Sequence, residues 1–198
     1  MLLLGGWWDP HLRGVLDLYK QSKRAGGRPE LHIGPATHLQ WWEGSQELQL
    51  DFFNRHLQSC DNSKHNGLEK KLWNITSNKW ENSEDCTEQI SSWGLISNGL
   101  ACLNSKDGKL SPNSKGKGLV VLVHDPWRPV PAIGGHLSTH PGDKDRQALD
   151  KRGDVATFTS PKLNEALFLE GIPVLNLIVE ADKEGFDLIS KSFQDYKI

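Results

Sequence analysis

Cysteine is scarce in this chain of 198 residues, with three in all (Cys60, Cys86 and Cys102). They are widely scattered and no Cys-x-x-Cys pair exists, which excludes a disulfide framework and a thiolate zinc site. A reducing, cytoplasmic setting is the default expectation for such usage. Charge of one sign is also lacking. Lys plus Arg number 23 against 25 Asp plus Glu, a formal net charge of −2. No global basic field exists to hold nucleic acid or an anionic membrane, so neither is expected as a partner. Long apolar runs are missing as well. The longest, Met1 to Leu4 and Leu119 to Val123, fall far short of the roughly 20 residues that span a bilayer. Met1 to Leu4 has no cationic flank and runs at once into Gly5-Gly6-Trp7-Trp8-Asp9, so it does not read as a signal peptide. Methionine occurs once, at position 1, and the residues directly after it read as a strand already inside a fold. The expectation is a fragment of a longer protein.

The chain does contain 36% hydrophobic residues, 24% charged residues and eight tryptophans. That composition suits folded domains rather than a disordered tail. Leu2 to Trp8 is a short apolar run without helical spacing, bounded by Asp9-Pro10, and predicts a buried strand. Leu12, Val15, Leu16 and Tyr19 then fall at helical spacing. Lys20, Lys23 and Arg24 come next, and Gly26-Gly27 stops the pattern, as an amphipathic helix requires. Leu31 and Ile33 alternate around His32 in a second strand ending at Gly34-Pro35. Trp42, Leu48, Phe52, Phe53 and Leu57 predict a second helix over Glu43 to Gln58, its aromatic face on the sheet. Residues 1–59 thus read as a βαβα unit.

After Ser59 the pattern changes. Cys60 to Gly67 is polar and turn-forming, which suits a linker. Beyond it Lys71 to Ile75, Trp93 to Ile96, Gly118 to Val123, Asp154 to Thr159 and Pro173 to Glu180 are short β-prone runs separated by Gly, Pro, Asn and Asp. Residues 60–198 are therefore expected to form an all-β sandwich or jelly roll. Trp73, Trp80, Trp93 and Trp127 fit a core between two sheets; the competing reading is an aromatic face for stacking a glycan.

Asp9 stands just past the first strand and His38 just past the second, with a helix between them. In a serine hydrolase triad a carboxylate accepts the imidazole Nδ1–H, so that Nε2 faces the nucleophile. In α/β-hydrolase sheets the acid and base occupy successive loops of this kind, in the chain order nucleophile, acid, base. Asp followed by Pro is equally the signature of a helix N-terminus, and a loop histidine bonded to water is the plain alternative for His38. His136 and His140 share an i, i+4 spacing, but the glycines and proline around them argue against a helix and no third ligand is apparent, so no metal is expected. Asn74-Ile75-Thr76 matches a short glycosylation pattern with frequent chance matches and carries no weight.

Several motifs, in order along nearly the whole chain, carry a resemblance. They are Gly5-Gly6-Trp7-Trp8-Asp9, Gly34-Pro35-Ala36-Thr37-His38, Asn78-Lys79-Trp80, the stretch His124-Asp125-Pro126-Trp127-Arg128-Pro129-Val130-Pro131-Ala132-Ile133-Gly134-Gly135, and Asp154-Val155-Ala156-Thr157-Phe158-Thr159-Ser160-Pro161. Together they resemble the cocaine-esterase-like, X-prolyl dipeptidyl-peptidase-like serine hydrolases. The resemblance implies an α/β-hydrolase domain with a helical lid, joined to a C-terminal jelly roll. It also implies Asp9 as the triad acid and His38 as the triad base. Ala36 departs from the family's usual Trp, which removes an aromatic wall beside His38 that Trp41 or Trp42 would have to replace.

The family's nucleophile is a Ser on a Gly-x-Ser-x-x-Gly-like elbow upstream of the acid, and no serine of this chain has that setting. Ser45 comes directly after Gly44, and Ser138 lies in Gly-Gly-His-Leu-Ser-Thr-His. Two expectations stand. The first is a C-terminal fragment of a serine hydrolase, cut at both ends and inactive alone, whose parent cleaves acyl esters or Xaa-Pro peptides and amides through an acyl-enzyme. Its partner is a small ester or peptide substrate in the intact protein, with no cofactor, and a homo-oligomer stays open. The second is a non-catalytic β-sandwich that binds a glycan or a protein.

Overall fold

A computed structural model describes residues 1–58, 70–83, 90–165, 167 and 169–190. The expected linker at Cys60 to Gly67, and with it Cys60 and Cys86, lies outside the described residues. In chain order the elements are β1 (Leu2–Trp8), α1 (Leu12–Arg24), β2 (Glu30–Thr37), α2 (Ser45–Leu57), β3 (Lys70–Asn74), β4 (Lys79–Asn82), β5 (Trp93–Ile96), β6 (Lys109–Pro112) and the short α3 (Gln147–Asp150). Residues 1–162 form one compact unit and residues 163–198 a second.

In the first unit, β1 to β4 form a four-stranded sheet in the order β1-β2-β3-β4. β1 and β2 run parallel, as do β2 and β3, while β4 returns antiparallel to β3. The parallel β1-α1-β2 unit arises because the apolar stripe of α1 has a sheet face to cover. Leu12, Val15, Leu16 and Tyr19 pack over Leu3, Leu31 and Ile33, and the last two are fully buried. β2 is buried on both faces, its apolar Leu31 and Ile33 alternating with buried Glu30 and His32.

Two glycines set how closely these elements approach. A Cβ at Gly6 would stand 2.9 Å from the Ala36 Cβ and closer still to the Ala36 carbonyl, so β1 and the end of β2 meet only because Gly6 has no side chain. A Cβ at Gly34 would fall inside the Trp42 indole. Trp42 therefore packs directly against the β2 backbone at Gly34. Its ring centroid is 5.3 Å from that of Trp80, and Trp80 is 5.5 Å from Trp73. Trp7 Nε1 donates to the Trp73 carbonyl at 2.8 Å.

α2 is fixed differently from expectation. Its aromatic face is not sealed against the sheet: Phe53 and Leu57 are exposed. An ion pair ties it down instead. Arg55 donates two parallel hydrogen bonds to Glu30 at the head of β2, Nη1 to Oε1 at 2.9 Å and Nη2 to Oε2 at 2.8 Å. The fork geometry of guanidinium and carboxylate makes such a pair directional as well as attractive.

The run at Lys71 to Ile75, read from the sequence as the first sandwich strand, instead continues the α/β sheet as β3. Parallel pairing Leu31–Lys70, His32–Lys71 and Ile33–Leu72 places it beside β2. Trp73 and Trp80 accordingly belong to this sheet and to the Trp42 cluster. Trp127 is 93% exposed and fills no core.

The β-rich remainder of the first unit is built on the β5–β6 hairpin, antiparallel with Leu95 opposite Leu110. Its loop is organised by buried Asp107, which accepts hydrogen bonds from the Ser97 hydroxyl, the Asn98 amide and side chain, and the Leu100 amide. The segment at Thr159 adds to the hairpin edge, with Leu110 N donating to Thr159 O at 3.0 Å. Arg152 joins the two motif-bearing loops. It pairs with Asp154 and donates from Nη2 to the Arg128 carbonyl at 2.6 Å, while Arg128 pairs with Asp125.

The other expected sandwich runs do not form strands. Beyond the Lys117 contacts with Leu95 and Ser97, residues 119–123 belong to no strand, with Leu119, Val121 and Val123 exposed. Asp154 to Thr159 makes a single bridge, Lys109 to Thr159. In the second unit every described residue is exposed, and Pro173 to Glu180 forms no strand. The reason is common to all three: a strand exists only where a neighbour accepts and donates its ladder of hydrogen bonds. No helix among the described residues is long and apolar enough to cross a membrane.

Candidate active site

The C-terminal edge of the β1–β2 pair carries the site. The β1–β2 register slips between Gly6 and Trp8, and β1 ends in a turn in which the Asp9 amide donates to the Gly6 carbonyl at 3.1 Å. Asp9 is 7% exposed. Its Oδ1 accepts the His11 amide at 2.8 Å, and its carbonyl accepts Leu12 N–H at 3.1 Å. This is an Asx turn at the entry to α1, and the sequence Asp-Pro-His is well suited to it. The N-terminal turn and the orientation of the carboxylate are therefore one arrangement rather than alternatives.

His38 comes from the end of β2. Thr37 closes a tight turn on Gln40, with Thr37 N donating to the Gln40 carbonyl at 2.9 Å and Gln40 N donating to Thr37 Oγ1 at 3.1 Å. The turn presents His38 towards β1, and its Nδ1 lies 3.4 Å from Asp9 Oδ1. The two residues singled out from the sequence thus stand side by side, the carboxylate buried and the imidazole half exposed.

A third residue escaped the sequence reading. His11 Nδ1 lies 3.1 Å from the same Asp9 Oδ1, and the His11 and His38 ring centroids are 4.7 Å apart with the planes tilted by 42°. The Asp-x-His spacing across an Asx turn was a readable signal, because the turn that brings the His11 amide to the carboxylate brings its ring there too. Among the described residues, Asp9, His11 and His38 also form a group of three with ligand atoms within 4.8 Å of one another.

Burial alone would raise the Asp9 carboxyl pKa. Hydrogen bonds from the His11 amide and from the His11 and His38 rings outweigh that effect and hold it below its usual value. Asp9 is thus an anion at neutral pH, able to accept and orient an imidazole N–H. Around the pair, Ala36 is buried beneath Gly6; of the two tryptophans offered as a replacement wall for His38, Trp42 lies against Gly34 and Trp80, and the Trp41 ring is 5.5 Å from that of Trp42.

The remaining candidates do not join this site. His140 Nδ1 meets Thr139 Oγ1 at 3.1 Å in an exposed loop, and Ile133 and Gly135 bridge across to His140 and Gly142. Asn74 is engaged in a turn, its Oδ1 accepting Thr76 and Ser77 amides at 2.9 and 3.0 Å.

Comparison with known proteins gives two family matches. Residues 56–191 match the X-Pro dipeptidyl-peptidase C-terminal non-catalytic domain. Residues 1–40, which include Asp9, His11 and His38, match the X-Pro dipeptidyl-peptidase (S15 family) model. The chain is similar to the cocaine esterase of Rhodococcus sp. (strain MB1 Bresler), 24% identical over 213 residues, an alignment covering 96% of this chain and 37% of that relative. The chain therefore spans just over a third of the relative's length.

Proposed function

The chain belongs to the X-Pro dipeptidyl-peptidase family of hydrolases, and from that premise we propose that it supplies the acid and base loops, and the accessory β domain, of a serine hydrolase. The observation that carries this reading is the contact between buried Asp9 Oδ1 and His38 Nδ1 at 3.4 Å, made by loops at the ends of two adjacent parallel strands. In this reading Asp9 is the triad acid and His38 the triad base, and the β-rich residues that follow β4 belong to the C-terminal accessory domain of the X-Pro dipeptidyl-peptidase type.

The chemistry rests on the placement of protons. Asp9 accepts the Nδ1–H of His38, which leaves the Nε2 lone pair free to take the proton of a serine hydroxyl as its oxygen attacks a substrate carbonyl. The imidazolium so formed gives that proton to the leaving alcohol or amine, and an acyl-enzyme remains. Water, deprotonated by the same Nε2, then releases the acid and restores the serine. The serine belongs to a Gly-x-Ser-x-x-Gly elbow that precedes Asp9 in the order nucleophile, acid, base; these 198 residues contain none. The substrate class is acyl esters or Xaa-Pro amides.

The test is an assay of a polypeptide that joins this chain to such an elbow. With p-nitrophenyl esters it should show a burst of product from acylation, and His38→Ala should abolish most of the turnover. Full activity in His38→Ala and Asp9→Asn alike would remove both residues from the catalytic machinery and favour the reading of the chain as a non-catalytic binding module.

A further inference from the structure

We propose that Asp9, His11 and His38 form a binding site for a first-row divalent cation of the zinc type, and that an ion seated there silences the acid–base pair. The silencing, though not the binding, rests on the triad reading above.

The geometry is close to what such an ion requires. Zinc held by imidazole nitrogen and carboxylate oxygen at about 2.0–2.1 Å in a tetrahedral site places neighbouring ligand atoms roughly 3.3 Å apart. The Asp9 Oδ1 distances to His11 Nδ1 and His38 Nδ1 are 3.1 and 3.4 Å. The third side, between the two imidazole nitrogens, is no more than 4.8 Å, and rotation of either ring adjusts it. Such rotation is available, because the His11 and His38 side chains are 71% and 57% exposed while the carboxylate they share is buried. The anchor is fixed, its Oδ1 held by the His11 amide at 2.8 Å, and an oriented carboxylate of this kind is what supports a metal site. Two nitrogen donors and one oxygen donor select zinc, cobalt, nickel or copper over calcium and magnesium, which prefer oxygen shells.

Silencing is a matter of the tautomer. A neutral imidazole carries one proton. When the ion takes the Nδ1 lone pair, that proton resides on Nε2, and Nε2 can no longer accept the proton of a serine. The ion also occupies the Asp9 oxygen that would have oriented the ring. His11 contributes the third ligand, so a pair that serves catalysis becomes a chelate only because residue 11 is histidine.

The test uses the chain itself, titrated with Co²⁺ and then with Zn²⁺. One equivalent of Co²⁺ should give ligand-field absorption without thiolate charge transfer, and Zn²⁺ should displace it. His11→Ala and His38→Ala should each weaken binding at least tenfold, since losing even a supporting contact to a ligand costs about 10- to 100-fold. The double substitution His136→Ala and His140→Ala should bind as the unaltered chain does. Circular dichroism confirms that each variant is folded; His11, being exposed, is the safest to replace. No Co²⁺ binding at micromolar metal, or equal affinity in the folded His11→Ala variant, would overturn the site. In a polypeptide carrying the serine, Zn²⁺ should inhibit, and His11→Ala should raise the inhibitory concentration at least tenfold. Zinc binding alongside turnover indifferent to His38→Ala would keep the site and sink the triad and the silencing. Turnover that depends on His38 in a protein that binds no zinc would do the reverse.

Discussion

Buried Asp9 Oδ1 is shared by two imidazoles, with His38 Nδ1 at 3.4 Å across adjacent strands and His11 Nδ1 at 3.1 Å within its own turn. The cross-strand contact depends on the parallel register of β1 and β2, which brings the two strand ends level. Asp9→Asn keeps the shape but exchanges an acceptor for a group that stabilises the wrong imidazole tautomer. In a polypeptide that includes the nucleophile, kcat should fall by about 10⁴-fold, as in a model serine protease triad. Steady-state kinetics on a p-nitrophenyl ester would show it, and an unaltered kcat would contradict the role given to Asp9.

In the proposed reading the chain by itself supplies the acid and the base, and none of its serines stands in a Gly-x-Ser-x-x-Gly elbow. Its rate of p-nitrophenyl ester or Xaa-Pro p-nitroanilide hydrolysis should therefore equal that of its own His38→Ala variant. A rate above that control would mean that another nucleophile is at work.

Close approach at Gly6 supports the site from below. An alanine there must push against the backbone and Cβ of Ala36, and overpacking of this kind costs about 1–3 kcal/mol. Gly6→Ala should lower Tm and, by separating β1 from the end of β2, loosen the Asp9–His38 contact. Thermal melts check the first effect; an unchanged Tm would show that the two strand ends have room to spare.

Much of the first unit was legible in the sequence. The periodicity of Leu12, Val15, Leu16 and Tyr19 and the glycines after Arg24 marked α1, because an apolar stripe and a stop leave local traces. Motif resemblance singled out Asp9 and His38, and what the fold adds is their contact across two strand ends, which spacing alone does not encode. The placement of Lys71 to Asn74 was not legible. A β-branched or aromatic run says that a strand will form, while its partner is chosen by long-range register; here β2 had a free edge and Leu72 joined the apolar cluster beside Ile33. The same limit applies to residues 119–123 and 173–180, whose composition suits strands but which pair with no strand among the described residues. His11 was missed because its contact arises from turn geometry rather than from residue type.

The Glu30–Arg55 pair gives stability a pH dependence. The hydrogen bonds and charge of Arg55 outweigh burial, and with His32 and His56 nearby they hold the Glu30 carboxyl below its usual value. A carboxylate whose folded pKa is depressed contributes stability that is fully present above its unfolded value, about 4.3, and that is lost as pH falls through the folded value. Glu30→Gln should be less stable than the unaltered chain at pH 7 by about 1–3 kcal/mol, towards the lower end because Arg55 is partly exposed. The gap should narrow as pH falls below about 4. Urea melts at pH 7 and at lower pH test this; a gap independent of pH would show that the pair is not the cause.

The most direct test of the acid–base pair is the tautomer of His38, read from long-range ¹H–¹⁵N couplings of the metal-free chain at a pH where the ring is neutral. The pair requires the proton on Nδ1, facing Asp9, with Nε2 bare, and it requires that Asp9→Asn remove that preference. A His38 ring that carries its proton mainly on Nε2, and is indifferent to Asp9→Asn, would contradict the assignment of these two residues as base and acid.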